Sequence, residues 1–340
     1  MADFRDTLML PFSSGALEGP KPGENWCILN ADVLPMPDGM EPGDFVAEQG
    51  FRSDFLALEA AGYVVQPRLD AMSELNGCLV LAHRSRAVNE RNILRAWNAL
   101  KPGGVLVFAG TKTSGVQPMR KWVGRGAQVD GSLSKHHAVA FWVHRNGDPW
   151  QADRLQKPGS DFEWGKFRVA PGMFSADGTD VGSALLAEHF SDRIFGRVAD
   201  FGAGWGYLSS CLIERCSRIE QLELFEADWA SLEAARSNVV AAGDMSVDYH
   251  WCDMTREAPR TPFNWVVMNP PFHTSRAAEP ALGNRFIEAA ARCLPAGGRL
   301  LLVANTNLPY ERTLQNLFKK VERLDQANGF KVLEAVKGSR

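Results

Sequence analysis

Two stretches of the 340-residue chain hold residues whose types and spacing could do chemistry. The first is Val198-Ala199-Asp200-Phe201-Gly202-Ala203-Gly204-Trp205-Gly206, an apolar strand that runs into glycines before a helix opens at Tyr207. Glycines let the backbone turn sharply and approach a ligand where a Cβ would collide. Twenty residues after Gly206 stands Glu226, at the end of the next apolar run, where a carboxylate can accept both hydroxyl protons of a ribose. The loop reads Gly-x-Gly-x-Gly, whereas a pyrophosphate site prefers Gly-x-Gly-x-x-Gly. Asp200 beside it repels phosphate and can pair with a cationic ammonium group. These features favour S-adenosylmethionine over NAD.

The second stretch is Asn269-Pro270-Pro271-Phe272, followed by His273. Consecutive prolines stiffen the backbone, remove two N–H donors and leave carbonyls free to accept. An exocyclic amine that attacks a methyl sulfonium must have its protons held so that its lone pair faces the carbon. The Asn269 side-chain oxygen and the Pro270 carbonyl can accept those protons, and Phe272 offers a ring for a flipped base. Sulfonium is a good leaving group, so neither a metal nor a strong base is required. His273 is read as a polar wall residue, Trp205 as a lid or core residue and Cys252 as core.

Both stretches need a scaffold that brings them to one crevice. From Arg197 onward, short β-branched or apolar runs alternate with segments of helical period, the grammar of a parallel sheet covered by helices. Strands are predicted over 197–201, 221–226, 247–252, 264–269, 299–305 and 331–336. Helices are predicted over 207–216, 230–242, 282–294 and 312–323. Strand ends in such a sheet share a carboxyl edge, where ligands bind.

The first half carries a weaker copy of this grammar. Asn92 to Leu100, then Lys101-Pro102-Gly103-Gly104, then Val105 to Gly110, reads like Phe286 to Leu294, Pro295 to Gly298 and Arg299 to Asn305, with Gly103 and Gly104 offset by 194 residues from Gly297 and Gly298. Turn formers cluster in Asn146 to Gly172. The expected fold is α/β, two tandem Rossmann-like folds with the amino-terminal one degenerate. Its divisions are a domain over 1–150, a linker over 151–169 and a catalytic domain over 170–340.

Composition narrows the class further. A net charge of −3 means that any nucleic-acid binding must come from a local patch. No run is apolar enough for a membrane span, the first residues lack a secretory pattern, and the six cysteines include no Cys-x-x-Cys pair. A soluble cytoplasmic protein with ordinary thiols, no metal site and a monomeric state is expected. One candidate patch is Lys112, Arg120, Lys121, Arg125, Lys135 and Arg145, opposed only by Asp130 and interleaved with Trp122, His136 and His137. Such a segment could hold phosphates and stack on unpaired bases. A solvated basic loop on a structural domain is the plainer reading. The amino half has no glycine loop and no Asn-Pro-Pro-Phe, so it is expected neither to bind cofactor nor to catalyse.

With these residues in view, the chain resembles class I S-adenosylmethionine-dependent methyltransferases that modify amines. More narrowly, it resembles the bacterial ribosomal RNA guanine-N2 methyltransferases that act on small-subunit RNA. The likeness is carried by Pro171-Gly172-Met173-Phe174-Ser175, Asp180-Val181-Gly182-Ser183, the glycine loop, Glu226, Asn269 to His273, Val303-Ala304-Asn305 and Leu308-Pro309-Tyr310-Glu311. It implies that Gly172, Phe174, Asp200, Gly202, Ala203, Gly204, Glu226, Ala227, Asp253, Met254 and Asn269 meet the cofactor, with Asp253 by its adenine amino group. Asp253 is otherwise a turn or cap residue. It implies too that Asn269, Pro270, Pro271 and Phe272 hold the target base, and that the partner is ribosomal RNA or the small subunit. Methylation of adenine N6 or of a protein glutamine is the rival reaction, since Asn-Pro-Pro plus an aromatic serves those amines. A non-catalytic RNA-binding assembly factor is the rival of another class.

Overall fold

Apolar strands that are buried on both faces need a helix layer on each side, and alternating strand and helix supplies both. The computed structural model describes residues 4–146, 162–174, 178–259, 261–271 and 280–339. It divides into two units, Met1–Asp161 and Phe162–Arg340.

The second unit begins with a short hairpin, β8 (Phe162–Trp164) and β9 (Phe167–Val169), numbered after seven strands of the first unit. There follow α5 (Val181–Ala187), β10 (Phe195–Phe201), α6 (Tyr207–Arg215), β11 (Arg218–Glu226), α7 (Trp229–Asn238), β12 (Ser246–Trp251), β13 (Trp265–Met268), α8 (Pro280–Cys293), β14 (Arg299–Asn305), α9 (Tyr310–Leu317), β15 (Lys320–Ala327) and β16 (Phe330–Val336). Seven strands form one sheet in the order β12-β11-β10-β13-β14-β16-β15, parallel except for β16, which runs antiparallel to both neighbours. Along β14 the side chains alternate between two cores. Leu300 and Leu302 pack with Phe286 and Ile287 of α8, while Leu301 and Val303 pack with Leu186, Leu208 and Leu212 on the other face. The sheet order reverses direction between β10 and β13, so a crevice opens at the carboxyl ends of those two strands.

The first unit contains α1 (Phe4–Ser13), β1 (Trp26–Leu29), β2 (Val46–Glu48), α2 (Arg52–Ala60), β3 (Val64–Gln66), β4 (Leu75–Leu81), α3 (Arg86–Ala99), β5 (Leu100–Thr111), α4 (Val116–Val123), β6 (Gly131–Lys135) and β7 (Ala138–His144). Its sheet order, β3-β2-β1-β4-β5-β7-β6, is the order of the second sheet element for element. Helices α3 and α8 begin at 86 and 280 and end at 99 and 293, a shift of 194 at both ends. Gly103, near the start of β5, and Gly297, in the turn after α8, share φ of +82°. The offset read from the Gly-Gly turns therefore holds for the helices before them.

Three expectations need correction. The helix expected over 312–323 stops at Leu317, and Lys320–Ala327 forms edge strand β15. Asn328 and Gly329, both at positive φ (52° and 81°), turn it into β16, and Asn-Gly is a favoured two-residue hairpin turn that helical periodicity overlooks. The helix expected over 230–242 ends at Asn238, where Val239 turns extended. Residues 162–169, placed in the linker, are the β8–β9 hairpin of the second unit, with Phe167 and Val169 packed on Trp205. Residues 151–161 lie outside the described set. Among the described residues no helix is long and apolar enough to cross a membrane.

Candidate active site

The glycine loop joins the end of β10 to α6, and its three glycines all have positive φ: 75° at Gly202, 55° at Gly204 and 91° at Gly206. Their reasons differ. A Cβ on Gly206 would sit 2.5 Å from Val239 Cγ2 and 3.3 Å from Ala235, so this glycine lets α6 start close against α7. A Cβ on Gly204 would meet no atom within 4 Å, because that position faces the crevice. Trp205 between them is 4% exposed. It packs on Phe167 with ring centroids 5.0 Å apart, and its Nε1 donates to the Phe174 carbonyl at 2.9 Å. Trp205 is thus packed in the core and also lines the cleft described below. Asn238 clamps the same region: its Nδ2 donates to the carbonyls of Arg168 and Trp205, and its Oδ1 accepts from the Arg168 N–H.

Glu226 ends β11 beside this loop. Its Oε2 accepts from the Gly204 N–H at 2.7 Å, and its Oε1 accepts from the N–H groups of Ala227 and Asp228, each at 2.8 Å. Burial pushes its carboxyl up to about 7, against the pull of those three N–H groups. Asp200, in β10, is fully buried, and its Oδ2 accepts from Ser209 Oγ at 2.7 Å. Burial raises Asp200 to about 7 as well, and its Oδ1 has no hydrogen-bond partner among the described residues. A buried carboxylate oxygen without a donor is costly unless something positive or hydrogen-bonding completes it.

Asn269 follows β13 directly, on the other side of β10 from Glu226. Its Nδ2 donates to Asp180 Oδ2 at 2.8 Å and to Ser183 Oγ at 2.9 Å. Asp180 is the N-cap of α5 and also accepts from the Ser183 N–H. Pro270 is buried and Pro271 exposed, while Phe272 and His273 fall outside the described residues. A cleft runs from the glycine loop to Asn269, lined by Phe174, Asp180, Ser183, Gly202, Ala203, Gly204, Trp205, Tyr207, Leu208 and Asn269. Gly172, at φ of 95°, precedes Phe174, which is half-exposed at the cleft.

Other site expectations fall further out. Asp253 Oδ1 accepts from the N–H and hydroxyl of Thr255, so it organises the turn after β12. Met254 is buried in the core beneath α8. The Ala227 carbonyl accepts from Trp251 Nε1. Asp180 and Ser183 had entered only as part of a resemblance; their link to Asn269 spans 89 and 86 residues, with no local signal to reveal it.

In the first unit, β-sheet register identifies the positions that match this site. Leu29 pairs with Glu48 and Val80 as Phe201 pairs with Phe225 and Met268, and the N–H groups of Ala31 and Ala203 reach the carbonyls of Glu48 and Phe225. Ile28 thus stands at the position of Asp200, Asn30 at Gly202, Asp32 at Gly204, Gln49 at Glu226 and Leu81 at Asn269. Asn30 keeps the positive φ, at 53°, and Gln49 Oε1 keeps the bond to the N–H two residues on. The acidic and amide groups themselves are gone, and Asp32 is bonded instead to Arg5 of α1 at 2.6 Å. Of the basic patch, Lys112, Lys121 and Arg125 are exposed and Arg120 half-buried, with no ion pair seen for these four among the described residues. They are strung before, along and after α4, a helix itself roughly 12 Å long. Trp122 is 4% exposed in the core and cannot stack on a base, contrary to expectation; His136 and His137 form the β6–β7 turn at φ of 49° and 57°.

The family model for the methyltransferase small domain matches residues 165–334. Ribosomal RNA small subunit methyltransferase C of Pseudomonas paraeruginosa is 32% identical over 251 residues, 72% of this chain and 74% of that one. Its counterpart from an Enterobacter species is 34% identical over 196 residues, covering 54% of this chain and only 56% of that relative's length. Among solved structures, the 16S rRNA N2 methyltransferase of T. thermophilus, in complex with AdoMet and guanosine, matches with a TM-score of 0.75 over 98% of this chain and 91% of that one. At 22% identity that likeness speaks for the fold, both seven-stranded sheets included. The chain belongs to the methyltransferase small domain family, among the ribosomal RNA small subunit methyltransferases C.

Proposed function

We propose that this protein transfers a methyl group from S-adenosylmethionine to the exocyclic N2 amine of a guanine in small-subunit ribosomal RNA. The observation that carries the reading is Asn269, held by its amide nitrogen at the edge of the cleft that begins at the glycine loop. With both amide protons engaged on the protein, the Asn269 oxygen is left to accept from a substrate amine.

The residues present fit S-adenosylmethionine. Gly204 leaves open space where any side chain would intrude, and Glu226 Oε2, with a single donor at present, has capacity for a ribose hydroxyl. The buried Oδ1 of Asp200 lacks a partner that a cationic ammonium, or water held by it, could supply. When bound, the cofactor supplies a methyl group made electrophilic by its sulfonium. The protein's part is positioning: Asn269 Oδ1 and the Pro270 carbonyl hold the two amine protons, so that the nitrogen lone pair lies along the line to the methyl carbon. Held by Gly204, Glu226 and Asp200, the cofactor would present its methyl group to the lone pair that Asn269 and Pro270 align, its sulfur would keep the electrons of the bond given up, and the amine would release one proton to solvent. Phe272 is assigned the face of the base, Asp253 the adenine amino group, and Gly172, Phe174, Ala203, Ala227 and Met254 the remaining cofactor contacts.

The amino unit is assigned RNA placement through Lys112, Arg120, Lys121 and Arg125. Its lost acidic and amide positions, Ile28 and Leu81 above all, argue that it binds no cofactor. A monomer working in the cytoplasm completes the reading. The test is the Asn269→Ala variant: it is expected to fold and bind S-adenosylmethionine but to transfer methyl to small-subunit RNA at least about 100-fold more slowly. Turnover near that of the parent would reject the assigned role.

A further inference from the structure

We infer that Asp180 and Ser183 are positioning residues that orient the Asn269 amide and make asparagine, not aspartate, the side chain this site accepts. The inference rests on the proposed reaction for its kinetic consequence, but the geometry stands by itself. An amide presents a donor end and an acceptor end of nearly the same shape, so either could face the substrate unless the surroundings decide. Here they decide. An ionised carboxylate only accepts, and Asp180 Oδ2 lies 2.8 Å from the Asn269 amide nitrogen while also accepting from the Ser183 N–H at 2.8 Å. A flipped amide would set its oxygen against that carboxylate oxygen and forfeit the bond. Ser183 Oγ takes the second amide proton at 2.9 Å. The acceptor end is then the end left for a substrate amine, and a charge-assisted bond at the nitrogen polarises the amide toward its oxygen.

The clamp is rigid because α5 is. Gly182 lies so close to β16 that a Cβ there would be 2.8 Å from the Phe330 ring, and Ser183 is 7% exposed. An aspartate at 269 would place a second carboxylate at hydrogen-bond distance from Asp180, where both cannot ionise freely.

The test uses single variants: Asp180→Ala, Asp180→Asn, Ser183→Ala and Asn269→Asp. Methyl transfer to small-subunit RNA gives kcat and KM, calorimetry gives S-adenosylmethionine affinity, and NMR follows the Asn269 side-chain NH2. Asp180→Ala should lower kcat by about tenfold or more with cofactor affinity held within about twofold. Asp180→Asn should recover most of that loss, since one oxygen accepts both bonds. Asn269→Asp should be impaired and improve toward lower pH, as the facing carboxyls come to share a proton. A purely structural role for Asp180 predicts a loss of folding or of cofactor affinity and no such pH-dependent recovery. Folded Asp180→Ala and Ser183→Ala proteins with unchanged kcat, or an Asn269→Asp protein without that recovery, would overturn the inference while leaving the reaction standing. If the parent protein methylates no RNA, the reaction falls instead, and NMR decides the inference: slow solvent exchange of the Asn269 NH2 that is lost in Asp180→Ala supports it, and exchange equally fast in both contradicts it.

Discussion

Two glycines two positions apart should fail in different ways when each is replaced by alanine. Both Gly204 and Gly206 have positive φ, so each alanine bears a left-handed backbone penalty of about 1–2 kcal/mol. Gly204→Ala adds nothing more to the folded state, since no atom lies within 4 Å of the new methyl. Gly206→Ala also forces that methyl to 2.5 Å from Val239 Cγ2, which adds an overpacking cost of about 1–3 kcal/mol. Summed, Gly206→Ala should destabilise by about 2–5 kcal/mol, a large share of a total stability of roughly 5–15 kcal/mol. At about 2–4 °C per kcal/mol for a unit of this size, Gly204→Ala should lower Tm by a few degrees and Gly206→Ala by two to three times as much. Cofactor affinity should show the reverse ranking. The Gly204 methyl enters the cleft, and displacing a ligand by a fraction of an ångström should weaken binding by at least about tenfold. Thermal unfolding without ligand and calorimetric titration with S-adenosylmethionine read the two effects separately. Equal Tm losses, or a Gly204→Ala protein that binds cofactor like the parent, would refute this division of the loop into a packing glycine and a ligand glycine.

Asp200 holds its proton more tightly folded than unfolded, because burial raises it to about 7. Its contribution to stability is therefore present at acid pH and lost as pH rises from the ordinary carboxylate range through about 7. Asp200→Asn should accordingly gain stability relative to the parent across that window and level off above it, as denaturant titrations at successive pH values would show; a constant difference would contradict the assignment. For the parent, cofactor affinity should rise as pH climbs through about 7, where Asp200 ionises toward the ammonium and Glu226 toward the ribose hydroxyls. Calorimetry in buffers of differing ionisation enthalpy should detect proton release on binding below that pH. Neutralising Lys112, Arg120, Lys121 and Arg125 together should weaken RNA binding and flatten its salt dependence, leaving cofactor affinity as it was; unchanged RNA binding would remove the amino unit's assigned role.

Much of the catalytic fold was legible because its signals are local. Arg299 to Asn305 forms a strand with the predicted bounds, and the helix opens at Tyr207 as the glycine loop requires. The duplication was legible from one helix and one Gly-Gly turn, and the sheet order extends it to all seven strands. Errors arose where two periods compete. In 312–323 a short helix is followed by an edge strand whose residues are only partly buried, so neither a helical nor a two-residue apolar period stands out; the Asn328-Gly329 turn was the better guide. Trp122 was misread for a related reason: a basic run suggests a surface, yet Val116, Met119, Trp122 and Val123 form the buried stripe of α4. The Asp180–Ser183 clamp on Asn269 was out of reach of any local pattern, because its parts meet only when α5 packs beside β14 and the end of β13.

The central claim is the atom that is methylated. Small ribosomal subunits from cells lacking this protein would be incubated with the purified enzyme and methyl-labelled S-adenosylmethionine, and the RNA digested to nucleosides for mass analysis beside digested protein. Label in N2-methylguanosine, absent with Asn269→Ala, is the predicted result. Label in N6-methyladenosine or in glutamine would contradict the guanine assignment, and no label from a protein that binds the cofactor would contradict methyl transfer to ribosomal RNA altogether.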